Sequence, residues 1–377
     1  MKTMDNLFAK HKRFVPKEAS GQNNKAIFIL FVLSLVFFLL AKVIPFKNTD
    51  ALKGEMISAS LKMQEAMEIL KECQNNKGIF PDERIDINRT GLIGLEYSSI
   101  TTSLGNLGSK RTTTNPNFAA LLVLLLHQAG VNRGDTIAVG ASCSFPALII
   151  AVLSASEAMD LKLLCIYSLG ASQWGANNPY FHWLHMNQCL LDAYVFDIKP
   201  IAVSLGGDRD SGEEMVPEGR SLLIKDIMES GITFVQQPDF EENIKARMRL
   251  YFEEVGKDGI KAFINIGGSL ANIGIDSEIL HLKPGVPRIK AIPSPERRGV
   301  LFEMAAKNIP VIHLLYMKGL VQRYGLEWDP VPLPPPGKGQ LYQIPRYKDP
   351  MFLVIAISYF FSVFITAFVL LFLKRQN

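Results

Sequence analysis

The sequence predicts an α/β domain, a mostly parallel sheet covered by helices, tethered by one N-terminal and one C-terminal transmembrane helix. Three observations carry this reading. Short apolar runs alternate with amphipathic segments through the middle of the chain, the pattern of strands buried on both faces. Each end of the chain holds a long apolar stretch without acids, suited to crossing a bilayer as helix. Basic residues gather just outside both stretches, on the side that stays in the cytoplasm.

The elements follow in chain order. Residues 1–25 form a basic tail, with Lys2, Lys10, Lys12, Arg13, Lys17 and Lys25 against Asp5 and Glu18. Residues 26–46 predict the first span, apolar from Ala26 to Ala41 apart from Ser34, with Lys42 able to snorkel. A cleaved signal peptide is the rival, but Lys42-Val-Ile-Pro-Phe stands where a small-x-small site would be. Residues 47–350 then form the extracytoplasmic domain. Leu52, Met56, Met63, Met67 and Leu70 recur at helical spacing, predicting a stalk or packing helix over 50–74. Residues 78–108 are rich in Gly, Ser and Thr, predicting loops and an edge strand.

"TTTNPNFAALLVLLLHQAGV" predicts a helix with a Thr or Asn cap, Pro116 in its first turn and Gly130 at its end. Strands are expected at "DTIAVG", "LKLLCIYSLG", "KPIAVSLGG", "ITFVQQ", "KAFINIGG" and "IPVIHLL". Helices are expected at "FPALIIAVLSASEAM", "PYFHWLHMNQCLLDA", "PEGRSLLIKDIMESG", "FEENIKARMRLYFEEVG" and "PERRGVLFEMAAKN". Residues 329–350 read as a stiff proline-rich linker. Residues 351–373 hold no charge and predict the second span. Lys374 and Arg375 open the tail 374–377, so both ends are expected in the cytoplasm.

The formal net charge of +4 sits at the ends. Residues 1–47 hold eight Lys/Arg and two acids, and residues 351–377 hold two Lys/Arg and no acid. The chain between carries 30 basic and 34 acidic residues, a net of −4. Nucleic acid is therefore not an expected partner, and any polyanion must meet a local cluster. Cys73, Cys143, Cys165 and Cys189 allow disulfides in an oxidising compartment or buried thiols. No metal-ligand spacing is present. Neither GxGxxG nor a P-loop occurs, so no cofactor is expected.

Glycine corners after parallel strands are where such sheets bind ligands, and this chain offers them at residues 140–144, 168–174, 206–208 and 265–269. Gly140-Ala-Ser142-Cys143-Ser144 approaches the GxSxG nucleophile elbow, with serine in place of the final glycine. Ser142 or Ser144 as nucleophile would need a histidine, for which His281 and His313 are candidates; Cys143 has no base nearby in sequence. Lys110 and Arg111 lead toward the expected helix start, where N–H groups and the dipole favour anions, with Thr112 and Thr113 adding donors. Gly140, Gly267 and Gly268 would let a ligand approach backbone. "SQWGANNPYFHWLH" offers Trp174 and Asn177 to a peptide or saccharide groove, beside Asn178, Tyr180, Phe181, His182, Trp183 and His185, although core packing is the better account of such aromatics.

Four of these stretches, "ITTSLGNLGSKRTTTNPNFAALLV", "GDTIAVGASCSFPALIIAVLSA", "SLGASQWGANNPYFHWL" and "IPVIHLLYMKGLVQRYGLEWDPVPLPPPGKGQLY", together resemble the bacterial poly-gamma-glutamate system protein family. The likeness covers roughly residues 91–342. It implies a protein of the bacterial inner membrane that works with the other membrane components making or exporting gamma-linked polyglutamate, as capsule or released polymer. It carries over no catalytic residue, and "NPYFHWLH" contains no carboxylate. The leading expectation is an accessory protein whose outward domain binds poly-gamma-glutamate or gamma-glutamyl oligomers. A serine-dependent hydrolase or transferase acting on that polymer is the alternative, and a structural subunit without ligand is the third.

Overall fold

The computed structural model describes residues 19–43, 47–237, 239–255, 259–343 and 350–376. Lys2, Lys10, Lys12, Arg13 and Lys17 of the expected tail, residues 44–46 of the first expected span and the linker's residues 344–349 lie outside the described residues. The chain divides into two compact units, Met1–Asp50 with Ile344–Asn377, and Ala51–Gln343.

Helix α1 (Ala19–Val43) is followed by α2 (Lys47–Asn76). Met56, Ala59, Met63, Ala66, Met67 and Leu70 are all buried, a stripe that repeats every three or four residues and faces the core. Residues 50–74 are thus a packing helix and not a free stalk. The segment 78–106 runs as loops, with one bridge, Thr101 to Ala171, where an edge strand was expected. Next come α3 (Leu107–Thr113) and α4 (Asn117–Gln128). The helix expected with Pro116 at its start is α4, and α3 is a short helix ahead of it that was not expected. Pro116 has no N–H to donate and disfavours helical backbone at Asn115, so the chain breaks at 114–116 and restarts. Asn106 caps α3 by accepting from the Ser109 amide.

The α/β core then alternates: β1 (Thr136–Ser142), α5 (Pro146–Ala158), β2 (Lys162–Ser168), α6 (Trp183–Asp192), β3 (Ala202–Ser204), α7 (Pro217–Ser230), α8 (Phe240–Glu253), β4 (Ile260–Ile266), α9 (Leu270–Ile273), α10 (Val300–Ala306), β5 (Val311–Leu314) and α11 (Met317–Tyr324). The five strands form one sheet in the order β3-β2-β1-β4-β5, every pair parallel. The expected strand "ITFVQQ" is reduced to a bridge between Phe234 and Val203. Its partner β3 is three residues long, and Val203 alone exchanges backbone hydrogen bonds with it, through Thr233 and Val235. The helix expected from Pro295 begins at Val300, because Pro295–Arg297 forms a separate 3-10 turn.

Both faces of the sheet are covered. Ala138, Ile166, Ala202, Phe263 and Val311 join one apolar cluster with Tyr251 of α8 and Phe302 of α10. The alternate residues Ile137, Val139 and Ala141 are just as buried, as a strand period of two requires. Residues 329–343 do not hang as a linker. The Asn88 side chain donates to Pro330 O, the Asp329 amide donates to the Thr112 hydroxyl, and Leu341 and Tyr342 are buried.

The last helix is α12 (Pro350–Gln376). Within it Pro350–Leu370 is long and apolar enough to cross a membrane, whereas the apolar part of α1, Ile27–Lys42, is shorter. In this unit the Ser34 and Tyr359 hydroxyls lie 3.0 Å apart, and the Phe37 ring meets Tyr359 edge-on at 5.5 Å.

Candidate functional site

Strand order places the site. The chain builds outward from β1 through β2 to β3, then returns to lay β4 on the other side of β1. The connections after β1 and β4 therefore diverge, leaving a crevice beyond their carboxyl ends. A cleft of about 580 Å³ lies at these ends, lined among others by Lys110, Ser142, Ser144, Phe145, Ser168, Gly170, Ser172, Asp208, Glu214, Gly268 and Ser269. Its volume falls within the range of small-molecule sites, roughly 300–1,000 Å³.

Three serines close three neighbouring strands in register, Ser142 opposite Ser168 and Ser168 opposite Ser204. Below them runs a buried polar network. Ser204 Oγ donates to Asp210 Oδ1 at 2.8 Å, and Arg247 donates to Ser204 Oγ at 2.7 Å and to Asp210 Oδ2 at 2.5 Å. Asn243 Nδ2 donates to the same carboxylate at 3.1 Å. Asp210 reaches this position through a left-handed backbone (φ +64°) behind Gly206 and Gly207.

Lys110 enters from α3. It is 3 % exposed. Its Nζ donates to the Ser172 hydroxyl at 2.7 Å and to the Ser144 carbonyl, and stands 3.8 Å from the centre of the Phe145 ring. No carboxylate pairs with it among the described residues, and burial pushes its pKa down to about 7. The corner after β1 is stitched to the next one: Ser142 Oγ donates to Ser144 Oγ at 2.9 Å, which accepts from the Ser172 amide at 2.9 Å. Gly175 allows this approach, since a Cβ there would fall 2.8 Å from Ser144 Cα.

Several expected site residues lie elsewhere. Arg111 turns away from the cleft to pair with Asp329, Nε to Oδ1 at 2.8 Å. Both cations precede α4, as expected, but they lie inside α3, because the chain is already helical from Leu107, so neither stands at a free helix start. The Thr112 and Thr113 hydroxyls donate to the Gly108 and Lys110 carbonyls. Gly140 sits within β1, where a Cβ would fall 2.5 Å from the Asn272 side chain. Gly267 (φ +78°) backs onto Ser142, and Gly268 lines the cleft.

His313 Nδ1 lies 3.0 Å from Asn265 Nδ2, which makes it an acceptor, and burial holds its pKa down at about 4. No hydrogen bond joins it to Ser142 or Ser144, so the Ser-acid-His arrangement is not assembled. His281 lies in a 3-10 turn outside the cleft wall. The aromatic stretch is also not part of the site. Asn177 is fully buried, bonded to Leu95 and Thr101. Trp174 lines a separate pocket of about 360 Å³ with Phe80 and Phe181. Trp183 packs edge-on against Tyr167 at 5.4 Å.

Ser168 and Ser172 belong to the expected corner 168–174 but had no role of their own there, while Ser204, Asp210, Asn243 and Arg247 were not expected at the site. A signal existed for two of them: the same Ser-Leu-Gly closes β2 and β3, at 168–170 and 204–206. Asp210 and Arg247 carried none, being an ordinary loop acid and a helix arginine. Among the described residues one group could ligate a metal, His182, His185 and Asp226. His182 already spends both ring nitrogens there, Nδ1 accepting from the Leu184 amide at 3.4 Å and Nε2 lying 2.8 Å from Asp226. The two free thiols, Cys143 and Cys165, are buried, while Cys73 and Cys189 form a disulfide between α2 and α6.

Comparison with protein-family models, with curated proteins and with solved structures returns no match for this chain.

Proposed function

We propose that the protein is an accessory membrane component of a bacterial poly-gamma-glutamate system, and that its cleft holds the end of a gamma-glutamyl chain. The carrying observation is the content of the cleft at the strand carboxyl ends. Lys110 lines it together with Asp208 and Glu214, and hydroxyls and glycines supply most of the remaining wall. A single buried amine sharing its cleft with two acids does not suit a long polyanion. It suits a chain end, where an ammonium group accompanies the carboxylates and the backbone amides can bond to hydroxyls.

The membrane placement belongs to the same proposal. Here α1 and α12 both span the bacterial inner membrane, both termini are cytoplasmic, and the α/β domain faces outward among the other components of the system. The basic residues flanking the apolar stretches support this orientation. So does the Cys73–Cys189 disulfide, a bond that persists in oxidising compartments. Reporter fusions that place the C-terminus outside the cytoplasmic membrane would overturn the orientation.

Titration calorimetry tests the ligand. The detergent-solubilised protein should bind short gamma-linked glutamyl oligomers and prefer them to alpha-linked ones. Because Arg111 is already paired and Lys110 is buried, binding should weaken little with salt. Equal affinity for both linkages would remove the gamma-glutamyl reading. Absence of any binding would leave a structural subunit.

A further inference from the structure

We propose that Lys110 and Ser172 form a base–nucleophile pair, and that the cleft cleaves or transfers gamma-glutamyl amides through an acyl-enzyme at Ser172. The substrate class rests on the function proposed above; the pair itself rests on geometry alone.

Ser142, Ser144 and Ser168 line the crevice beside Ser172, with Ser204 buried beneath them, and each has a fixed engagement. Ser142 donates to Ser144. The Ser144 oxygen accepts both that proton and the Ser172 amide. Ser168 and Ser204 are bound to Asp210 and Arg247. Ser172 alone among these serines has an amine at its oxygen, at 2.7 Å, and it lines the cleft.

The surroundings of Lys110 suit a base. A buried amine without a counter-ion is most stable neutral, and here desolvation is the cause of the shift to about 7. The titratable groups sharing its cleft wall are Asp208 and Glu214, and neither contributes to that shift. In the neutral amine one N–H bonds the Ser144 carbonyl, and the lone pair is then free to accept from the Ser172 hydroxyl at the same 2.7 Å separation. Lysine serves as base to serine in known hydrolases of unrelated fold.

The step balances without a further reagent. Lys110 Nζ takes the Ser172 proton as Oγ bonds to the amide carbonyl carbon. The C–N bond then breaks, and Lys110 returns the proton to the leaving amine. Water, or an acceptor amine in transfer, attacks the resulting ester and gives its proton to Lys110. The acid or new amide departs, with the proton back on Ser172 Oγ.

A fluorophosphonate probe, with the modified residue mapped by mass spectrometry, tests the pair independently of any polymer. We expect Ser172 to be labelled, with a rate that rises roughly tenfold per pH unit below 7 and levels above it. Ser172→Ala should abolish labelling, and Lys110→Met should slow it at least 100-fold while the melting temperature stays near that of the parent. Labelling elsewhere only, or no labelling, overturns the pair. Should Lys110→Met fail to fold, the profile of the unaltered protein decides, and a rate flat from pH 5 to 9 overturns it. Labelling of Ser172 without turnover of gamma-glutamyl oligomers sinks the substrate class alone, whereas calorimetric binding without labelling sinks the pair alone.

Discussion

Asp210 and Arg247 form an ion pair in which neither side chain reaches solvent. The pair lies beneath the serine row, and Arg247 also donates to Ser168 and Ser204. Burying two charges costs desolvation energy that only close pairing and further hydrogen bonds offset. Removing one partner leaves the other charge uncompensated. Asp210→Ala should therefore destabilise the domain by about 3–5 kcal/mol in urea unfolding. A second substitution, Arg247→Met, should recover part of that loss. Additive losses in the double variant would mean that the two residues are not coupled.

Two glycines at the sheet should answer oppositely to alanine. A Cβ at Gly268 has only Leu315 nearby, at 3.4 Å, whereas a Cβ at Gly140 would fall 2.5 Å from the Asn272 side chain. Gly268→Ala should melt within about 3 °C of the parent yet weaken oligomer binding, since Gly268 lines the cleft. Gly140→Ala should cost about 1–3 kcal/mol through overpacking. Calorimetric melting of both variants checks the contrast.

Acid should weaken the fold through two histidines. Burial pushes His182 and His313 down to about 4, for His182 against the opposing pull of Asp226. In the unfolded chain both titrate near about 6.5. Between these values the unfolded state binds more protons, so their contribution to stability is complete above about pH 6.5 and falls as pH drops through about 4. The melting temperature should decline across that window. His182→Asn, which keeps a capping side chain at the start of α6, should flatten the decline. An unchanged slope in that variant would show that His182 is not responsible.

Cysteine chemistry should be divided two and two. The disulfide joins residues 116 apart, and its loss in Cys73→Ala/Cys189→Ala should cost about 2–5 kcal/mol. Burial raises the Cys143 thiol well above its ordinary pKa and Cys165 to about 12. Both thiols should therefore resist alkylation until the domain unfolds. Fast modification of either in the folded protein would contradict their burial.

The order of strands and helices was legible because apolar periodicity is local. "DTIAVG" and "KAFINIGG" became β1 and β4 in place, and the corners after them do border the cleft. The short helix α3 and the late start of α10 at Val300 were less visible, since the residues at 107–113 and 295–299 are mostly polar or small and carry no helical apolar period. In the sequence Lys110 is a cation leading toward an expected helix start. Nothing within "LGSKRTTTNP" says that its neighbours will be Phe145 and the Ser172 hydroxyl.

By itself, then, the sequence determined the alternating α/β pattern, the glycine corners, the charge asymmetry between the ends and the domain, and the apolar C-terminal stretch. Tertiary structure alone decided the sheet order β3-β2-β1-β4-β5, which brings the corners of β1, β2, β3 and β4 around one crevice. It also chose which polar residues lose their water: Lys110 against Ser172, 62 residues away in the chain, and Asp210 against Arg247. The reason is physical. Secondary structure follows from side chains three or four residues apart, or alternate ones in a strand. Desolvation and pairing depend on which distant segments the crossovers of a parallel sheet bring together, and those set the chemistry of this site.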